Sequence, residues 1–221
     1  MINEKIQQIE EYAKTMMADE AAHGFSHVNR VRKWALQIAK DEKYQNLEMV
    51  ETAALLHDIG LSSAKKRSLH GEAGAKLAIS FLSENNFFSA DEIFEVSNAI
   101  LFHCKNREGK GELLNIIRDA DMMDLFGAMG ILRACTSKFS NAEYNPINIK
   151  GETWKMTAQD FDQRFDSGVG IGEFIVDQIN FQISCYGNLS TDAAKKLAGP
   201  LIEFAKKFVL ELETEVETNN I

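Results

Sequence analysis

The stretch Ala54-Leu55-Leu56-His57-Asp58-Ile59-Gly60 decides how the rest of this 221-residue chain is read. Apolar residues at helical spacing, from Leu47 through Val50, Ala53, Ala54 and Leu56, run into adjacent His57 and Asp58. Gly60 then follows, a natural residue just past a helix C-terminus. A carboxylate at that end is disfavoured by the helix dipole, and near a core an ionised one is costly unless it is paired or meets a cation. Imidazole and carboxylate together suit a borderline divalent metal. The pair therefore points to a cation partner.

Working outward, the same periodicity predicts helices on both sides. Ile2, Ile6, Ile9 and Met16 mark a first amphipathic helix. Ser26 is placed to cap a second, which carries Val31, Trp34, Leu36 and Ile38 on or near its buried side. After a polar, basic connection from Ser62 to Ser68, a fourth helix starts near His70. A fifth begins at about Asp91 and reaches His103, and a sixth, or a broken pair, spans Leu113 to about Cys135 with Gly127 and Gly130 inside it. Ser137 to Gly151 reads as a loop. Two helical segments follow at about 158–186 and 191–217, and Pro200 is expected to kink or interrupt the second. Only two prolines occur, which excludes a turn-rich all-β chain. The expected fold is all-α, one domain over 1–221, with its core at about 20–135 and C-terminal helices from 155 to 217 packed on it.

Composition narrows the function. With 24 basic against 33 acidic residues the net charge is −9, so broad neutralisation of long nucleic acid is excluded. A phosphate-bearing ligand would need a local basic pocket or a metal ion. Cys104, Cys135 and Cys185 are odd in number and form no CxxC pair, which fits a reducing cytoplasm rather than a disulfide framework. The acidic, amphipathic N-terminus does not read as a signal peptide. No run approaches the ~18 apolar residues of a membrane span. The GxGxG run at Gly168 to Gly172 follows no predicted strand and is a weak dinucleotide signal.

Beyond the His57-Asp58 pair, the chain carries His27 in HGFSHVNRVR (23–32), His70 in HGEAGAKLA (70–78) and Asp121 in DADMMDLFGAMG (119–130). His57 follows His27 by 30 residues, and Asp121 follows Asp58 by 63. In that ordered set the sequence resembles the HD superfamily of metal-dependent phosphohydrolases, and its small stand-alone bacterial members in particular. The resemblance is clear over about 20–135 and fainter at NLSTDAAKKLAG (188–199). It implies a helical HD fold in which His27, His57, Asp58 and Asp121 hold one divalent metal. A mixed nitrogen and oxygen shell favours Mn, Fe, Co or Ni over Mg.

Other residues take their roles from this frame. His70 and His103 occupy places where two-metal relatives carry extra histidines; a second ion, a substrate phosphate or a structural role are all open to them. Where the HD-GYP group has a second histidine, His103 is followed by Cys104, and no Tyr-Pro follows the glycine, which speaks against cyclic-dinucleotide hydrolysis. Asp124, one helical turn after Asp121, is either a substrate-side acid or a surface one, whereas Asp119 lies about 200° around the helix from Asp121. His23, four residues before His27, is a supporting candidate. Arg30, Lys65, Lys66, Arg67 and Arg118 are candidates for meeting phosphate, or else solvated charges. The chain departs from its relatives at Met122, where they carry a basic residue. The expected activity is cleavage of a phosphoester or phosphoanhydride bond in a nucleotide or another small phosphorylated metabolite. A di-iron oxygenase and a non-catalytic nucleotide-sensing module are the alternatives.

Overall fold

Ten α-helices and two 3-10 turns, with no strand, make up the described residues of a computed structural model, which cover 4–17, 24–105 and 108–218. In order they are α1 (Glu4–Met16), α2 (Phe25–Asp41), α3 (Leu47–Leu56), a 3-10 turn (Arg67–Leu69), α4 (His70–Glu84), α5 (Ala90–Phe102) and α6 (Glu112–Met123). Then come α7 (Gly127–Ser137), α8 (Ala158–Asp166), α9 (Ile175–Ser184), a 3-10 turn (Cys185–Asn188) and α10 (Asp192–Thr218). The chain divides into two compact units, Met1–Asp121 with Ser190–Ala193, and Met122–Leu189 with Ala194–Ile221.

In the first unit α3 is the central element, packed against α1, α2 and α5, while α4 pairs with α5. Leu55 and Leu56 of α3 are fully enclosed, joined by Ile38, Ile59, Leu82 and Ile100. Each such residue gains roughly 1.5–3 kcal/mol by leaving water, which outweighs the weak preference of any single turn. Arg32 fastens three helices: its guanidinium donates to Glu51 on α3 and, at 2.8 Å, to Glu10 on α1. Tyr12 of α1 stacks on Phe81 of α4 with ring centroids 3.9 Å apart. At the start of α5, Ser89 and Glu92 form a reciprocal capping box.

Two glycines set how closely these helices approach. Gly60 does not adopt the positive φ expected of a residue past a helix end. Instead a Cβ there would lie 2.1 Å from the His70 carbonyl oxygen and 2.4 Å from the Gly74 nitrogen. A Cβ on Gly71 would similarly stand 2.6 Å from the Leu101 carbonyl oxygen. The turn after α3, the start of α4 and the end of α5 are thus in backbone contact.

The second unit has its own apolar cluster, Ile131, Ala134, Val176, Ile179 and Val209. Its long loop is tied to α9 by buried Asp177, which accepts from the Thr153 hydroxyl at 2.7 Å, and by Asn180, which donates to the Lys150 carbonyl at 2.8 Å.

Several local expectations are corrected. Gly24, not Ser26, is the N-cap of α2, which starts at Phe25, two residues earlier than a Ser26 cap would place it. The segment from Leu113 to Cys135 is a broken pair, because Gly127 takes φ +63 at the start of α7. The 158–186 segment is also two helices, separated by the glycine-rich stretch, where Gly168 and Gly172 have positive φ. Pro200 lies inside α10 without ending it. Pro200 and Lys196, whose carbonyl loses its donor, are both exposed, so water can take that bond. Ile2, read as part of the first helix, lies outside the described residues.

Candidate metal centre

Five elements of the first unit deliver one cluster. His27 comes from the first turn of α2, held by the buried side formed by Val28, Val31 and Ala35. His57 and Asp58 form the turn that closes α3, His70 is the first residue of α4, His103 follows the last residue of α5, and Asp121 lies in the last turn of α6. His27, His57, Asp58, His70 and His103 are buried, whereas the Asp121 side chain is 36% exposed.

Three of the rings are aimed by the same device. His57 Nδ1 donates to the Ala54 carbonyl at 2.8 Å, His70 Nδ1 to that of Arg67 at 2.6 Å, and His103 Nδ1 to that of Ile100 at 2.7 Å. A carbonyl oxygen can only accept, so Nδ1 carries a proton and Nε2 faces the cluster, with its lone pair available wherever the ring is neutral.

Asp58 divides what those nitrogens see. Its Oδ2 lies 3.7 Å from His27 Nε2 and 3.5 Å from His57 Nε2, and its Oδ1 lies 3.4 Å from His70 Nε2 and 3.5 Å from His103 Nε2. His27 Nε2 is also 3.3 Å from Asp121 Oδ1. Ligand atoms ~2.1 Å from a four-coordinate ion stand ~3.4 Å apart, so these separations are those of donors around a small cation. His57 Nε2 is fully buried and has no hydrogen-bond partner. A buried acceptor without a donor is costly, and a cation at the focus of His27, His57 and Asp121 would satisfy it. The donor set fits a divalent metal.

Electrostatics sort the rings. Burial lowers the pKa of His57 and outweighs the raising effect of Asp58 and Asp121, which keeps the ring neutral and ready to donate its lone pair. Burial would raise the Asp121 carboxyl, but the bond from His27 and its charge hold it below the usual carboxylate range. His70 goes the other way: burial works downward, yet Asp58, the Cys104 side chain and the Arg67 carbonyl lift it to about 10. His103 is raised too, against its burial, by Asp58 and Asp121. Enclosure by protein would raise the Cys104 thiol, but the bond from His70 and the charges of both imidazoles bring it below its ordinary range.

The remaining candidates are placed elsewhere or lie out of view. His23 lies outside the described residues. Arg30 is half-buried on α2, and Lys65, Lys66 and Arg67 are exposed in the connection before α4. Arg118 donates to the Phe102 carbonyl at 2.9 Å and also to those of Lys105 and Glu108, so its guanidinium caps the end of α5 that presents His103. Asp124, in the second unit, is buried and ion-paired with Arg133. Met122, where the relatives were expected to be basic, is half-buried in the second unit.

One residue set aside at the sequence level has a defined task. Asp119 is fully buried and accepts from the Ser190 nitrogen at 2.9 Å, and from the Thr191 nitrogen and hydroxyl at 2.7 Å each. It therefore caps the entrance to α10, whose first turn is further held by Ala193 donating to Glu42 at 2.7 Å. The signal was present in the sequence, since Asp119 faces away from Asp121 on α6 and an apolar environment demands a partner for it.

Residues 24–128, which carry all six side chains of the cluster, match the HD domain family. YpgQ of Bacillus subtilis strain 168, an uncharacterised protein, is 28% identical over 218 residues, which cover 95% of this chain and 93% of YpgQ. YpgQ has also been crystallised in complex with ADP; that structure superposes with a TM-score of 0.64 at 20% identity, covering 96% of this chain and 95% of its own. A crystal structure from Lactobacillus plantarum aligns with a TM-score of 0.70 at 25% identity over 99% of this chain and 100% of its own. An HD-superfamily hydrolase of Bacillus thuringiensis gives 0.68 at 22%, with 96% of each chain covered. No helix among the described residues is long and apolar enough to cross a membrane.

Proposed function

We propose that this chain is a metal-dependent phosphohydrolase acting on a nucleotide or another small phosphorylated compound. One observation carries the reading: the buried, unpartnered Nε2 of His57 converges with His27 and Asp121 on one point, beside Asp58. His27, His57, Asp58 and Asp121 would hold the ion. A divalent ion would supply Lewis acidity, lowering the pKa of water towards ~7 and offsetting charge on phosphoryl oxygens. Burial of His27, His57 and Asp58 keeps competing water away, and the exposed edge at Asp121 leaves an approach for substrate. The bonds from His57 Nδ1 and His103 Nδ1 to backbone carbonyls keep the rings in one orientation throughout. The ADP complex of YpgQ supports a nucleotide as the class of substrate.

A second reading is favoured by Asp58, whose two oxygens face different histidine pairs and so suit two ions. Oxygen-dependent chemistry at a di-iron centre needs that arrangement. Metal analysis of the purified protein, followed by a panel of nucleotides and phosphomonoesters with and without oxygen, separates the two. Anaerobic release of phosphate or pyrophosphate, lost in Asp58→Ala, supports hydrolysis. Two irons per chain with activity only in oxygen would overturn it.

A further inference from the structure

The second unit contains a pocket of about 210 Å3 that the metal centre does not use. Trp154, Lys155 and Met156 line it from the loop before α8, Asn180 and Ile183 from α9, and Lys206 from α10. An indole, a thioether and a branched aliphatic chain make its walls mainly apolar. Two features distinguish it from a packing gap. The first is Asn180, 3% exposed, whose Nδ2 donates to the Lys150 carbonyl at 2.8 Å and to the Thr153 hydroxyl at 3.3 Å. That hydroxyl gives its own proton to Asp177 at 2.7 Å, so it accepts from Asn180 and fixes which end of the amide is nitrogen. Asn180 Oδ1 is thereby a buried acceptor without a donor among the described residues, which is costly unless a ligand supplies one. The second feature is charge: Lys155 is exposed, and Lys206 is paired at 2.9 Å with Glu203, an exposed carboxylate.

An acceptor in an apolar slot, with two ammonium groups beside it, asks for a ligand of three parts. These are a flat ring system, an N–H on it, and an anionic group beyond it. The volume lies below the ~300–1,000 Å3 of sites that bury drug-sized ligands, so one ring system fits rather than a whole cofactor. Flat rings gain from contact with an indole, and ammonium groups meet phosphate or carboxylate. We propose that this pocket binds a small anionic heteroaromatic compound, whose N–H donates to Asn180 Oδ1 and whose phosphate or carboxylate meets Lys155 and Lys206. A nucleoside monophosphate and an indole carboxylate both have that chemistry. All six lining residues belong to the second unit and every proposed metal ligand to the first, so the site is independent of the phosphohydrolase reading.

The test is titration calorimetry on the full chain in EDTA, where no divalent ion can hold a nucleotide at the metal centre. Two pairs of probes differ at the N–H: adenosine monophosphate with purine riboside monophosphate, which lacks the amino group, and indole-3-acetate with its 1-methyl analogue. One pair should bind, and so identify the source of the ligand, with the N–H member about tenfold tighter. Asn180→Ala should erase that preference. Lys155→Asn, at an exposed position whose φ of +68 asparagine tolerates, should weaken both members of the pair about tenfold. Ile183→Phe, which fills the slot, should abolish binding and decides the matter should Asn180→Ala fail to fold. Failure of all four probes to bind at about 1 mM overturns the site, as does binding without preference for the N–H member. Binding lost in Asp121→Ala but kept in Lys155→Asn and Ile183→Phe overturns it as well, since the probe would then lie at the metal centre. A chain that binds a probe in EDTA but hydrolyses no phosphate ester with metal refutes only the proposed function.

Discussion

His70 and His103 point their Nε2 atoms at each other across 3.1 Å, while each ring's Nδ1 is bonded to the carbonyl three residues before it. The metal-free chain relieves that opposition with protons, as the raised pKa values of both rings indicate. An ion relieves it by displacing them.

Proton release on metal binding should therefore be measurable. His70 has its pKa lifted to about 10, so at pH 7 the metal-free ring is protonated and competes with a cation. Affinity of the chain for Mn2+ should fall as pH falls, ~tenfold per pH unit for each proton displaced. Calorimetry at pH 7 in buffers of different ionisation enthalpy should show about one proton or more released per ion. Heat independent of the buffer would contradict this.

Stabilisation by Mn2+ should depend on the nitrogen and oxygen donors. At a free concentration 100 times Kd, an ion bound only by the folded state adds about 2.7 kcal/mol. For a chain of this length that corresponds to a rise in Tm of about 5–10 °C. His57→Ala and Asp58→Ala should lose the rise in a thermal melt, together with the phosphohydrolase activity. An undiminished rise in both variants would place the Mn2+ elsewhere.

Gly60→Ala should injure the site without touching a ligand. Its Cβ would meet the His70 carbonyl oxygen at 2.1 Å, and that atom belongs to the backbone of α4, so the helix start must shift. Overpacking of this kind costs about 1–3 kcal/mol. Urea denaturation should report that loss, and Mn2+ affinity should fall, because the turn that carries Asp58 is pushed off the start of α4.

Asp119→Ala should act on stability alone. It leaves the Ser190 and Thr191 nitrogens without their charged acceptor, a loss of about 2–4 kcal/mol. The midpoint in urea should drop accordingly, while Mn2+ affinity of the folded protein stays unchanged. A loss of affinity with unchanged stability would mean that Asp119 belongs with the ligands.

How much of this was legible beforehand depends on where each residue sits. His57 and Asp58 could be read from the chain itself because they stand at a helix end, where apolar periodicity breaks off and a charged side chain needs a reason, whereas Asp121 was reached only through the family resemblance. That the structure brings His27, His57, Asp58 and Asp121 together follows the ordered spacing. The sharing of Asp58 between two histidine pairs could not be read, since it depends on the side chain's direction in the folded chain. Gly60 was read as a helix stop from local preference, yet its lack of a side chain serves the approach of α4, ten residues away. Pro200 was read as a breaker, and an exposed helix face absorbs it. Asp124 was read by its spacing from Asp121, but its partner Arg133 lies on the following helix, α7.

The rings of His57, His70 and His103 owe their aim to peptide carbonyls rather than to neighbouring side chains. A supporting carboxylate can be deleted by one codon change, but a main-chain oxygen cannot. The orientation of these imidazoles is therefore immune to point mutation of any single orienting residue, so long as the backbone keeps its course. Directed variation of the surrounding side chains can then retune charge and access around the cluster while its three rings keep their bearing.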